Sequence, residues 1–564
     1  MAYALADSDR VRRVAPGART ALAPFYALSG LIALLVLVAA GGGLFIPGLY
    51  RDNAYMLPQA QGNDLVTLVF SLPLFVGALV FTARGSLRAQ VIWLGSLGYL
   101  LYTYITMAFD AVFNSFFLLY VAIFGLCVFT AIGALSHADA DALRRHFAGE
   151  KTARALAVYC LALAVLLFFT WGGQLVPALL ANKVPETLVL AGTPTSFVWV
   201  LDLGILIPFL ALTGIWLWRR QSRGYLLAGV VLVKGLTLGL AILGMAYFML
   251  RDGQPIDAGI LAVALLFVGS ALPLLALYLP RIKSEPQTPP VAVAPSSATR
   301  PIPRWCFLLP AAMVPLLLLA TLGGLLVPGL YHDNDLVVPQ NQIQDLFMLV
   351  VALPLFMLAL VGAARGSLRA LLLLLGCLAY FLYSYIHYSF GVRHNQYFLA
   401  YVWLLGLSLY SLVVLFVHLD RERLAAGLGA GVPRKPAAVF LLIAGGLVAL
   451  AWLADVVLSL LAGTAPETVK LAGTPSSVTY VLDLGLLVPA CFLAAVWLWQ
   501  RRLWGYVLVA MLLVTTSLID LVGVPLSLFL LGVTGPAGIM AVLATVGVAL
   551  TVWFFIGLGQ KRLS

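Results

Sequence analysis

A chain of 564 residues with 63% hydrophobic and 10% charged residues is too apolar for water, because a soluble domain carries roughly 25% charge. Mean hydropathy is +1.04, so the length counts membrane spans rather than globular domains. The net charge of +11 would point to nucleic acid in a soluble protein; here membrane topology accounts for it and nucleic-acid binding is excluded.

Residues 1–24 are polar and basic, without an apolar stretch ending in a small-residue cleavage site. They read as a cytoplasmic amino-terminal segment, with the first span as the insertion signal. A helix needs about 20 apolar residues to cross roughly 30 Å of hydrocarbon. On that measure the chain predicts spans at 25–49, 65–82, 90–109, 114–135, 155–180, 196–218, 225–249 and 258–279. A second series follows at 306–330, 346–363, 370–389, 396–417, 437–461, 477–499, 506–530 and 537–559. The runs are continuous rather than alternating, so the predicted fold is an all-α membrane bundle of about sixteen helices and not a barrel.

The two series are copies. A shift of 281 residues aligns 50–225 with 331–506 without a gap. Tyr50, Asp52, Asn53, Pro58, Gln59, Gln61 and Asp64 return as Tyr331, Asp333, Asn334, Pro339, Gln340, Gln342 and Asp345. Arg84-Gly85-Ser86 and Arg88 return as Arg365-Gly366-Ser367 and Arg369; AGTP and LDLG also recur. Self-similarity on this scale marks a tandem duplication. The domains are then a first eight-helix repeat at 25–280, a Pro-rich cytoplasmic linker at 281–304 and a second repeat at 305–564. Lys and Arg gather in alternate connecting segments, which puts both termini in the cytoplasm and the Tyr-x-Asp-Asn segments outside. Eight spans is an even number, so both repeats insert the same way up, related by a pseudo-two-fold axis along the membrane normal.

Candidate site residues follow from charge in the wrong place. Asp202 and Asp483 lie in the LDLG of the sixth span of each half, with Thr193-Pro194 and Thr474-Pro475 as helix starts. Asp455 replaces Gln174, Asp520 replaces Gly239, and Lys234 stands opposite Thr515. Ionisable residues are costly inside a bilayer and tend to mark ion or proton paths. The second half thus holds three in-span acids and no in-span base, which suits a proton or cation; Lys234 takes the cation's part in the first. The rival reading is separate aspartates, each satisfied by neighbouring polar groups at helix contacts.

At the outer face, Asp52, Asp64, Asp333 and Asp345 form either a vestibule for a cation or a set of turns and caps; Asp64 and Asp345 stand where N-caps of the second span would. Tyr380, Tyr383, His387 and Phe390 share one helix face, as an aromatic or polar path or as packing. His332, His387 and His394 could hold a metal ion, although no local ligand spacing supports it, and Tyr380, Tyr383 and His387 could form a quinone-like or lipid pocket near the outer surface; no cofactor is predicted. The segment 137–154 predicts a short amphipathic surface helix. Cys127, Cys160, Cys306, Cys377 and Cys491 fall in apolar runs without a C-x-x-C and predict small apolar filler.

No Walker loop, GxGxxG with an acidic partner, HExxH or GxSxG occurs, and no soluble region is large enough for an ATPase. The leading expectation is a multi-pass transporter of the cytoplasmic membrane that moves a small solute or ion. The alternatives are a redox, quinone-binding or lipid-binding membrane enzyme subunit and a structural subunit with further membrane partners.

Overall fold

The computed structural model describes residues 16–283, 302–419, 424–425, 431–531 and 535–558. Most of the expected linker, from 284 to 301, lies outside them. Among the described residues there is no strand, and sixteen helices are long and apolar enough to cross a bilayer. The chain is a multi-pass membrane protein.

Spans 1–8 are Ala21–Phe45, Leu57–Ala83, Leu87–Phe109, Phe117–His137, Glu150–Leu180, Phe197–Trp218, Ser222–Arg251 and Ala258–Arg281. Spans 9–16 are Arg304–Leu326, Val337–Ala364, Leu368–Phe390, Phe398–Val417, Arg434–Leu461, Val478–Trp499, Leu503–Phe529 and Gly538–Gly557. The residues form two compact units. One comprises Met1–Gln174, Glu186–Gly192 and Ile205–Ala292; the other comprises Leu175–Pro185, Thr193–Gly204 and Val293–Ser564.

The recurring motifs are turns and caps. In Arg84-Gly85-Ser86, Gly85 takes φ +95°, a conformation that costs an L side chain roughly 1–2 kcal/mol. Its N–H bonds to Thr82 O at 2.8 Å and that of Ser86 to Phe81 O at 3.1 Å, closing span 2. Ser86 then opens span 3 by accepting the Ala89 amide at 3.3 Å. Arg88 donates to Ile282 O through Nε at 3.0 Å and Nη2 at 2.7 Å, tying span 3 to the chain leaving span 8. In the second unit Gly366 and Ser367 repeat the turn, and Arg369 donates to Ile556 O and Leu558 O. Arg88 and Arg369 are therefore each accounted for by a cross-link from the start of one span to the backbone at the end of another.

Two expectations are corrected. The polar stretch before span 2 is helix: it begins at Leu57, and its copy begins at Val337. Asp64 and Asp345 consequently lie inside their helices and are not N-caps. The capping work falls to Asn53, whose Oδ1 accepts the amides of Tyr55 at 3.0 Å and Met56 at 2.9 Å, and to Asn334, which accepts from Leu336 at 3.1 Å and Val337 at 3.0 Å. The expected start at Thr193-Pro194 and Thr474-Pro475 also moves. Helices begin at Phe197 and Val478 after Ser196 and Ser477, because the threonines bond forward to Thr195 O at 2.9 Å and Ser476 O at 2.8 Å, holding the chain in a turn.

Four spans contain a π-helical turn, at Thr67–Ser71, Asp202–Leu206, Met348–Ala352 and Asp483–Leu487. Each is followed two residues on by a proline: Pro73, Pro208, Pro354 and Pro489. Proline lacks an N–H, and its ring clashes with the carbonyl four residues back. Widening the turn relieves that clash, as in the bond from Val488 N–H to Asp483 O, five residues back. The segment 137–154 does hold a short helix, Ala140–His146, started by Asp139 and buried at Leu143. The five cysteines are free and buried.

Candidate functional site

Each Tyr-x-Asp-Asn turn fastens three parts of its half. Tyr50 donates to Asp64 Oδ2 at 2.5 Å, and Tyr331 donates to Asp345 Oδ2. Asp52 Oδ1 accepts the Val112 amide and Asp333 Oδ1 the Arg393 amide, both at 3.1 Å. Asn53 Nδ2 donates to the carbonyls of Leu190 and Ala191, both at 3.0 Å, and Asn334 Nδ2 to Leu471 O at 2.7 Å. Burial lifts Asp52 to about 6, and lifts Asp333 less, since the Arg393 and His332 charges oppose it. The geometry accounts for these residues as fasteners. Asn334→Ala removes both its cap and its cross-link, and is expected to cost about 1–2 kcal/mol. A lowered melting temperature of the purified protein checks it.

Behind the turns, Asp64 and Asp345 are 3% and 1% exposed. Asp345 Oδ1 also accepts from Tyr388 at 2.8 Å; the first half has Met107 at that position. Gln344 Nε2 donates to Tyr380 Oη at 2.7 Å, so Tyr380 joins this neighbourhood rather than the in-span acids.

The in-span acids of the second half do gather. Asp483 Oδ1 accepts the Tyr383 hydroxyl at 2.9 Å, and its Oδ2 accepts the Trp452 indole N–H at 2.8 Å. Asp455 Oδ2 accepts the Tyr480 hydroxyl at 2.5 Å; the same hydroxyl lies 2.8 Å from Thr468 Oγ1. The rings of Trp452 and Tyr480 lie 4.7 Å apart, which joins the two carboxylates through one aromatic pair. Asp520, 8% exposed, interacts electrostatically with Asp483 and with Tyr383. His387 flanks the group, its ring 4.8 Å from that of Tyr383, its Nε2 3.1 Å from Thr479 Oγ1 and its Nδ1 3.1 Å from Tyr383 O. Among the described residues no lysine, arginine or histidine forms an ion pair with Asp455, Asp483 or Asp520. Neutral donors alone hold Asp455 and Asp483 among the described residues.

Asp483 also opens a π turn, an irregularity that recurs at functional sites. Asp202 opens the matching turn in span 6 and is 4% exposed. It belongs to the second compact unit, where its segment is anchored by Thr195 Oγ1 to Ser389 O at 2.8 Å and by the His394 amide to Pro194 O at 2.9 Å. Lys234 in the first unit holds its Nζ 4.1 Å from the centre of the Tyr102 ring, a cation–π contact; Tyr102 is the counterpart of Tyr383.

The three histidines share no common side-chain partner. His332 Nδ1 lies 2.9 Å from the backbone oxygen of His394, while His387 sits with the in-span acids. His394 is buried against the rings of Trp199 and Phe398, and burial lowers its pKa to about 4. Among the described residues no group of three or more His, Cys, Asp or Glu side chains could hold a metal ion.

Sequence reasoning missed Trp452, Tyr480 and the π turns. Signals existed: Trp452 repeats Trp171, Tyr480 repeats the aromatic Trp199, and all four prolines recur at the 281 shift. No protein-family model, curated protein or solved structure matches this chain at a significant level.

Proposed function

We propose that the chain is a secondary transporter, moving a small solute or ion at the expense of a proton or cation gradient. One observation carries this reading: Asp483, 5% exposed inside a span, is held by Tyr383 and Trp452 and feels Asp520, without a described cationic partner. A buried charge that no fixed opposite charge balances favours uptake of a proton or a mobile cation. Asp455 continues the acidic path through Tyr480.

In this reading the two repeats stand parallel, as an internally fused pair, with both termini in the cytoplasm and the Tyr-x-Asp-Asn turns outside. The 281-residue match and the alternation of Arg and Lys support it. The second half is the exchanging half. It has Asp520 where the first has Gly239, and Thr515 where the first has Lys234.

The test uses the full chain in sealed vesicles. A potassium diffusion potential is imposed, and proton entry is read with a trapped pH dye and sodium entry with a radiotracer. Entry of either ion above the protein-free rate supports the reading; neither, under either polarity of the potential, overturns it.

A further inference from the structure

Spans 2 and 3, both in the first unit, leave an open groove of about 380 Å³ between them. One wall is the face of span 2 that carries Leu74, Gly77, Ala78 and Phe81, at the three- and four-residue spacing that lines side chains up along a helix. Ile92 of span 3 stands on the other wall, and the groove ends at Ser86 and Arg88, where the chain turns into span 3. At 1.5 Å per residue the wall from Leu74 to Phe81 is about 10 Å long, most of the roughly 15 Å depth of one leaflet. Phe81 is 55% exposed, and Val76 and Val80 on the same helix are exposed too, so the groove opens sideways onto the surface that faces hydrocarbon. That is the shape of a site for an acyl chain.

The end of the groove is cationic. Arg88 gives Nε and Nη2 to Ile282 O, which fixes the guanidinium, while among the described residues its Nη1 makes no hydrogen bond. Arg84 holds its Cζ 5.5 Å from the centre of the Phe81 ring, at the mouth of the groove. The segment that Arg88 grips brings Arg281 and Lys283 to the same end. It is pinned by the Ala148 amide to Arg281 O and by the Lys283 amide to His146 O, both at 2.7 Å. Arg88, Arg281 and Lys283 are exposed, and among the described residues none of the three forms an ion pair. No acid lines the groove.

The second half is built differently at the same place. Leu358 stands where the first half has Gly77, and Gly362 where it has Phe81. A Cβ on Gly362 would lie 2.6 Å from the Cβ of Ala370, so span 10 touches span 11 there. At Gly77 an added Cβ would meet nothing within 4 Å.

We propose that this groove binds one anionic phospholipid, an acyl chain lying along Leu74, Gly77 and Phe81 and the phosphate meeting the open edge of the Arg88 guanidinium. A planar guanidinium held by its other edge is pre-organised for phosphate oxygens. Basic clefts between spans select anionic head groups in this way. The site uses none of the in-span acids, so it stands or falls apart from ion movement.

The test is native mass spectrometry of the delipidated full chain in detergent, titrated with phosphatidylglycerol, with phosphatidylcholine and inorganic phosphate as controls. The first phosphatidylglycerol is expected to bind about tenfold more tightly than the first phosphatidylcholine, the worth of one charge-assisted contact. Arg88→Gln should remove that preference. Gly77→Leu installs the second-half residue in open space and replaces glycine by a better helix former, so it should fold normally. It should weaken phosphatidylglycerol binding about tenfold by occupying the groove, and it tests the idea if Arg88→Gln fails to fold. Equal affinity for the two lipids, phosphate alone binding as tightly as the lipid, or phosphatidylglycerol affinity unchanged in the folded variants overturns the proposal.

Discussion

Asp483→Asn is expected to reduce ion entry into vesicles to the protein-free rate while leaving the protein folded. Asparagine keeps the shape: its one amide oxygen can accept from the Trp452 indole while its amide N–H donates to the Tyr383 oxygen, but it carries no charge and takes up no proton. The bonds at 2.9 and 2.8 Å hold the side chain in place from two helices, so the substitution alters charge more than packing. Asp520→Asn should behave similarly, because it removes the second member of the interacting acids. Tyr383→Phe and Trp452→Phe separate charge from positioning. Each deletes one donor to a charged acceptor, worth about 1.5–3 kcal/mol, or roughly a 10- to 100-fold loss of rate with entry still measurable. Entry at the native rate in Asp483→Asn would remove the in-span acids from the mechanism.

Much of this arrangement was legible in the chain because membrane physics is strict. Span count follows from length and hydropathy, and sixteen helices occupy the expected stretches within a few residues at most ends. The exceptions, spans 2 and 10, are instructive. Span 2 begins at Leu57 rather than 65 and span 10 at Val337 rather than 346, because hydropathy alone leaves polar residues such as Gln59, Asn63 and Asp64 outside a span. They are helical because partners from other segments satisfy them: Tyr50 holds Asp64 and Tyr99 donates to Asn63 at 3.1 Å. Hydropathy cannot see such partners. The in-span acids were found by their cost in lipid, but Trp452 and Tyr480 were not, because an aromatic residue in a span carries no such penalty. Tyr380 and Tyr383 share a helix face, yet one serves Gln344 and the other Asp483. A helical spacing fixes a direction without naming the helix that stands there. The 281-residue self-match in the sequence is most informative where it fails: Asp110 against Gly391, Lys234 against Thr515 and Gly239 against Asp520 are positions where the matched residues differ in charge.

Gly324→Ala is expected to destabilise the protein far more than a glycine-to-alanine change in a helix should. Alanine is ordinarily the better helix former, by about 1 kcal/mol. At Gly324, however, an added Cβ would overlap the Asp345 carboxylate and the Tyr331 hydroxyl, which are already bonded to each other. Gly43 repeats the arrangement with Asp64 and Tyr50. The methyl group must displace a buried carboxylate from its hydroxyl donors, so overpacking of about 1–3 kcal/mol adds to about 1.5–3 kcal/mol of lost charge-assisted bonding. The control is Gly41→Ala on the same helix as Gly43, where nothing lies within 4 Å of the new atom. Thermal unfolding in detergent should show a large fall for Gly324→Ala and Gly43→Ala, and none for Gly41→Ala. Equal effects at Gly41 and Gly43 would mean that the tyrosine–aspartate fasteners do not hold the turns. The measured difference also sets how firmly span 10 is positioned beside span 11, the helix that presents Tyr383 to Asp483.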